Sequence, residues 1–121
     1  MPYVDGFVLP VPKDRVDDYR KVAEQASKVW KEHGALEYWE CVGDDLEAHD
    51  NGPMSFLKMA NAKDDETVIF AWVVFESREA RDQANEKIMA DPRLSEMIDK
   101  DDPIFDYTRM SFGGFKPIVR A

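Results

Sequence analysis

The sequence predicts an α+β domain of the ferredoxin-like kind, a split βαβ arrangement with an antiparallel sheet that pairs with a second copy of itself. Three observations predict it. Strand-like and helix-like periodicities follow one another as strand, helix, strand, strand, helix, strand. The 121 residues allow one hydrophobic core and not two independent ones, so they form a single domain. The third strand is apolar on both faces, and two helices can shield only one of them.

The first strand spans residues 3–9, with Tyr3, Phe7 and Leu9 on one side and Val4 and Val8 on the other, and Pro10 and Pro12 close it. Asp14 then caps a helix. Its apolar residues Val16, Tyr19, Val22, Ala23, Ala26, Val29 and Trp30 recur at three- and four-residue steps until Gly34 stops them. Residues 35–42 are too short for another helix after that glycine and read as the second strand, ending at Gly43. Residues 44–53 form an acidic, turn-rich stretch, residues 54–60 a short edge strand, and residues 63–66 a turn.

Residues 67–75 form the third strand, with Val68, Phe70, Trp72 and Val74 on one face and Ile69, Ala71, Val73 and Phe75 on the other. Ser77 caps a second helix carrying Ala80, Ala84 and Ile88. Asp91 and Pro92 end it and start another short helix running to about Ile98. After an acidic turn at residues 100–103, residues 105–112 form the last strand, which Gly113 and Gly114 break. Roughly 600 Å² of apolar surface left wet on the uncovered face would forgo on the order of 15 kcal/mol of burial free energy per chain, which favours a homodimer.

The net charge of -9, from 16 basic against 25 acidic residues, repels phosphate backbones and anionic lipid. No nucleic acid is expected as a partner. No apolar run approaches the roughly 20 residues that span a bilayer, so no membrane partner is expected either. Cys41 is the only cysteine, which excludes an internal disulfide, and together with the absence of a leader-like start it points to the cytoplasm.

Four blocks carry a resemblance: YVDGFVLPVP at the start, HGALEYWECVGDD after the first helix, RDQANEKIMADPR around the second, and FDYTRMSFGGF near the end. Together they resemble the bacterial YbaA-like family of domains of unknown function, within the dimeric α+β barrel superfamily. The resemblance implies two sheets facing each other as a barrel, and it supplies no established reaction and no catalytic residue.

The densest set of possible metal ligands is Asp44, Asp45, Glu47, His49 and Asp50. A calcium loop starting at Asp45 would put Asp50 where glycine is needed, and one starting at Glu47 would put Lys58 where a bidentate glutamate should close it. A solvated acidic turn is the better reading; no metal and no cofactor are expected. His33 stands where it can meet the last carbonyls of the first helix. With Glu40 or Asp45 it could also form a proton-transfer pair.

Asp5 and Arg109 are charges inside otherwise apolar strands that neighbour each other in the ferredoxin-like order, so they are expected to pair, fixing register or binding a polar ligand group. Arg81 and Asn85 lie one turn apart on the polar face of the second helix and could line a groove. Trp30, Trp39 and Trp72 are expected in the core or lining the barrel, where aromatic walls could also hold an apolar molecule. Asp5, His33, Trp39, Glu40, Asp45, Trp72, Arg81, Asn85 and Arg109 are therefore the candidate cleft residues. The leading functional expectation is a dimer that binds a small organic ligand; the alternative is a cofactor-independent monooxygenase or isomerase, which rests on fold analogy.

Overall fold

A computed structural model describes residues 1–97 and 101–121. Four strands, β1 (Tyr3–Pro12), β2 (Glu37–Val42), β3 (Glu66–Phe75) and β4 (Ser111–Phe115), form one sheet in the order β2-β3-β1-β4. Every neighbouring pair is antiparallel. Four helices, α1 (Val16–Glu32), α2 (Phe56–Met59), α3 (Arg78–Ala90) and α4 (Pro92–Glu96), complete the described chain. This is the ferredoxin-like α+β arrangement that the order of periodicities predicts.

Strand alternation divides the sheet into two unlike surfaces. The face toward α1 and α3 carries Leu9 and Val11 from β1 and Ile69, Ala71, Val73 and Phe75 from β3, all buried. Val29 of α1 and Ala84 and Ile88 of α3 pack onto that face. Ser77 starts α3 by accepting a hydrogen bond from the Ala80 backbone N–H at 3.0 Å. On the other face, among the described residues, only the single turn α2 approaches, its Phe56 ring 6.1 Å from that of Phe70, and Trp39, Phe70 and Phe115 stay 50%, 46% and 61% exposed.

Several boundaries differ from the sequence expectation, each for a local reason. Pro10 and Pro12 lie inside β1, opposite Val68 and Glu66, rather than closing it. The pairing of β1 with β4 ends at Val8, so from there β1 is an edge strand, which tolerates proline. Asp14 does not cap α1; it sits within a 3-10 turn, Lys13–Arg15, that leads directly into the helix. Residues 54–60 hold the single helical turn α2 and not an edge strand, because the Ser55 hydroxyl accepts from the Lys58 N–H at 3.1 Å. Strand β2 begins at Glu37, two residues later than expected.

The last strand is displaced as well. Asp106 accepts from the Thr108 N–H and hydroxyl at 2.9 and 2.6 Å, and this turns residues Tyr107–Arg109 into a 3-10 helix. Strand β4 then runs through Gly113 and Gly114 instead of stopping at them. A Cβ at Gly114 would run into the outer end of the Tyr3 side chain, so glycine here lets the tyrosine lie against the strand. The expected end of α4 at Ile98 and the start of the acidic turn at Lys100 lie outside the described residues. No helix among the described residues is long and apolar enough to cross a membrane.

Candidate functional site

Between α1 and the covered face of the sheet lies a cavity of about 480 Å³. Its existence follows from side-chain size. Ala23 and Ala26 on α1 face Ala71 and Val73 on β3, and these short side chains leave space that bulkier ones would fill. Trp30, Phe105, Met97 and Met110 add apolar walls.

One polar constellation interrupts this lining. Glu40 stands opposite Ala71 in the register of β2 and β3. The Tyr19 hydroxyl, from α1, donates to its Oε1, and the Tyr38 hydroxyl, two residues earlier on the same strand face, donates to its Oε2 at 2.7 Å. Burial first, and the Glu40 charge second, push both phenols above their ordinary pKa, so both remain O–H donors at neutral pH. Ring contacts hold them in place: Tyr19 meets Phe105 edge-on at 5.8 Å, and Tyr38 meets Trp30 at 6.2 Å. A second cavity of about 290 Å³, opening beside Val16, Arg20 and Val42, shares Tyr19, Tyr38 and Glu40 with the first. The carboxylate thus stands at the partition between two spaces.

At the rim Arg15 joins distant parts of the chain. Its Nη1 and Nη2 donate to Asp102 at 3.0 and 3.1 Å, and its Nε donates to Asp18 at 2.8 Å. The exposed carboxylates make this a solvated clasp of small energetic value.

Of the candidate cleft residues, Glu40 lines the cavity and the rest do not, while Trp30, expected in the core or barrel lining, forms part of its wall. Trp39 and Trp72 stack at 5.5 Å and 13° on the opposite, open face. The expected Asp5–Arg109 pair does not form. Asp5 stands across from Gly114 in β4, while Arg109 is on the preceding 3-10 turn. Asp5 is buried and accepts from Arg81 at 2.8 Å, and Arg81 also binds Asp82 and lies 4.8 Å from the centre of the Tyr3 ring. Arg109 makes a bidentate pair with buried Glu66 at 2.6 and 2.8 Å.

His33 pairs with Asp91 at 2.9 Å, tying the end of α1 to the α3–α4 junction, and not with Glu40 or Asp45. Asp45 is on an exposed loop, and Asn85 is half-buried on α3. Among the described residues no group of three or more His, Cys, Asp or Glu is placed to hold a metal ion. Tyr19 and Tyr38 were not singled out from the sequence for the site. A signal for Tyr38 was present, because residues two apart on a strand share a face and Glu40 follows it by two.

Fold and cavity together define a ferredoxin-like α+β domain with a chamber between its first helix and its sheet. The chain belongs to the family described as "Protein of unknown function (DUF1428)", whose model matches residues 2–107. It is 42% identical over 120 residues to the uncharacterized protein YbaA of Escherichia coli K12, covering 98% of each chain. Among solved structures it resembles an uncharacterized NIPSNAP domain protein from Burkholderia xenovorans, with a TM-score of 0.62 at 11% identity over 98% of this chain and 97% of that one. It also resembles SnoaB, a cofactor-independent oxygenase from Streptomyces nogalater, with a TM-score of 0.52 at 14% identity, covering 98% and 95%. At such identities the likeness is one of fold.

Proposed function

We propose that this protein is a homodimeric binder of a small, largely apolar organic molecule, held in the cavity between α1 and the sheet. The observation that carries the reading is the cavity itself: about 480 Å³ of mostly apolar space into which Glu40 and its two tyrosines converge, with Arg15, Asp18 and Asp102 at the rim. A close-packed layer is the ordinary arrangement between a helix and a sheet, and a molecule seated in this space would supply contacts that the short side chains around it do not.

Homodimerisation is supported by the open face of the sheet, where the Trp39–Trp72 stack, Phe70 and Phe115 are left wet in a solitary chain. A second copy supplies an equally apolar surface through two-fold symmetry. Cys41, half-buried on that face and without a disulfide, suits a reducing cytoplasm.

A second reading, a cofactor-independent oxygenase, is favoured by the placement of a carboxylate and two phenols inside an apolar chamber, on a fold shared with SnoaB. A base of this kind could take a proton from a bound substrate.

The binding reading is tested with the uncharged dye Nile red. Its fluorescence should rise to saturation at one dye per chain, and Ala26→Trp, which fills the cavity from α1, should abolish the rise without lowering the melting temperature. Unchanged dye binding in that variant would place the dye elsewhere and remove the cavity from consideration.

A further inference from the structure

We propose that the occupant of the α1–sheet cavity is an organic cation, a hydrophobic amine whose ammonium group is seated on Glu40. This deepens the small-molecule reading above and rests on it. The argument is one of charge. Among the described residues, four acidic or basic side chains line the chamber: Arg15, Asp18, Glu40 and Asp102. Three are carboxylates, and the one guanidinium is already engaged by Asp18 and Asp102 at the rim. The described lining is therefore mostly apolar, with three carboxylates to one guanidinium.

Glu40 in particular lacks a counter-charge. Among the described residues no Lys, Arg or His pairs with it; its partners are the Tyr19 and Tyr38 hydroxyls. Those neutral donors orient the carboxylate and satisfy one site on each oxygen, yet a carboxylate has about four lone-pair sites. Acceptor capacity and charge both remain for a ligand. The contrast with Glu66, clasped by Arg109 through both oxygens, shows how this chain treats a carboxylate that serves structure alone.

The walls suit the same guest. Tyr19, Trp30, Tyr38 and Phe105 contribute aromatic rings, whose quadrupoles attract ammonium groups, while the remaining apolar lining takes the hydrocarbon body. The overall charge of -9 raises the local concentration of cations and opposes the entry of anions. A bare metal ion does not fit, since a hard cation needs several oxygens and a lone carboxylate supplies two.

The test uses three probes of nearly equal shape, naphthylethylamine, naphthylethanol and naphthylacetate, titrated calorimetrically into the full-length protein at pH 7. The ammonium probe should bind about tenfold or more tightly than the alcohol, and the carboxylate more weakly than either. Glu40→Gln should remove that tenfold advantage while leaving the alcohol within about twofold. If the alcohol or the carboxylate binds as tightly as the amine, the cation assignment is wrong although the cavity still binds small molecules. If none of the three binds, the small-molecule reading falls and takes this one with it. The wild-type comparison decides the matter even if the variant fails to fold.

Discussion

Each face of the sheet departs from what a solitary domain would show. The face covered by α1 and α3 holds buried Asp5, the Glu40–tyrosine constellation and a cavity, whereas the uncovered face presents Val4, Val8, Trp39, Phe70, Trp72 and Phe115. Water normally meets charge and helices normally meet grease. Both departures make sense if the two surfaces have different partners: the open face needs one that is large and apolar, and the covered face one that is small and carries a polar group. One strand serves both. Along β3, Phe75 is fully buried against the helices, while Phe70, five residues earlier and on the other side, is 46% exposed.

That comparison breaks most visibly at Phe70. Replacing it with glutamate puts a charge at the centre of the proposed dimer contact, and two-fold symmetry places a second one in the same interface. An unpaired buried charge costs on the order of 3–5 kcal/mol, once from each protomer, so Phe70→Glu should sediment as a monomer at micromolar concentrations where the parent is a dimer. A parent that sediments as a monomer, or a variant that remains dimeric, would mean the exposed aromatics serve some other surface. Phe75→Ala probes the other side of the same strand. It should cost about 3–5 kcal/mol in urea unfolding, because it opens a cavity in the covered core, and it should leave the association state unchanged. A loss below about 1 kcal/mol would show that this layer is already loosely packed.

How legible these faces were in the sequence differs from element to element. The doubly apolar run of β3 announced itself, since alternation needs nothing beyond the spacing of its side chains. The sheet order also followed, because few topologies accommodate that succession of elements. The last strand was displaced because Asp106 rewards a 3-10 turn with two local hydrogen bonds that an apolar count does not register. The same competition from a short polar side chain made α2 a helical turn where a strand was expected.

For the site, Glu40 was named from the sequence as a possible proton-transfer partner of His33, but its actual partners depended on tertiary placement. Tyr19 reads as one more member of an apolar stripe until the helix is docked and its hydroxyl meets the carboxylate. Asp5 and Arg109 illustrate the converse. Both were recognisable as charges needing partners, and the shift of β4 by a few residues gave each a different one, Arg81 and Glu66. Pairing between distant elements is decided by register, which local composition does not encode.

The smallest expected effect separates the two glutamates. By the alternation of β3, Glu66 belongs to the open side of the sheet, at the strand's first position, where Arg109 holds its carboxyl below the usual glutamate range. A carboxylate depressed in the folded state stabilises the protein above its unfolded-state pKa, about 4.3, and that contribution is lost as pH falls through the folded value. Urea unfolding of the parent, at fixed protein concentration, should therefore show a decline in stability as pH drops below about 4.3, part of which is due to Glu66. Arg109→Met removes the guanidinium that depresses the carboxyl, so it should lower stability at pH 7 and flatten the acid decline. Glu40→Gln, which breaks no ion pair, should lower stability at pH 7 by less than Arg109→Met does. If the parent and Arg109→Met decline in parallel, the pair at the strand end does not act as the acid-sensitive clasp, and the distinction between a glutamate held for structure and one left for a ligand loses its structural half.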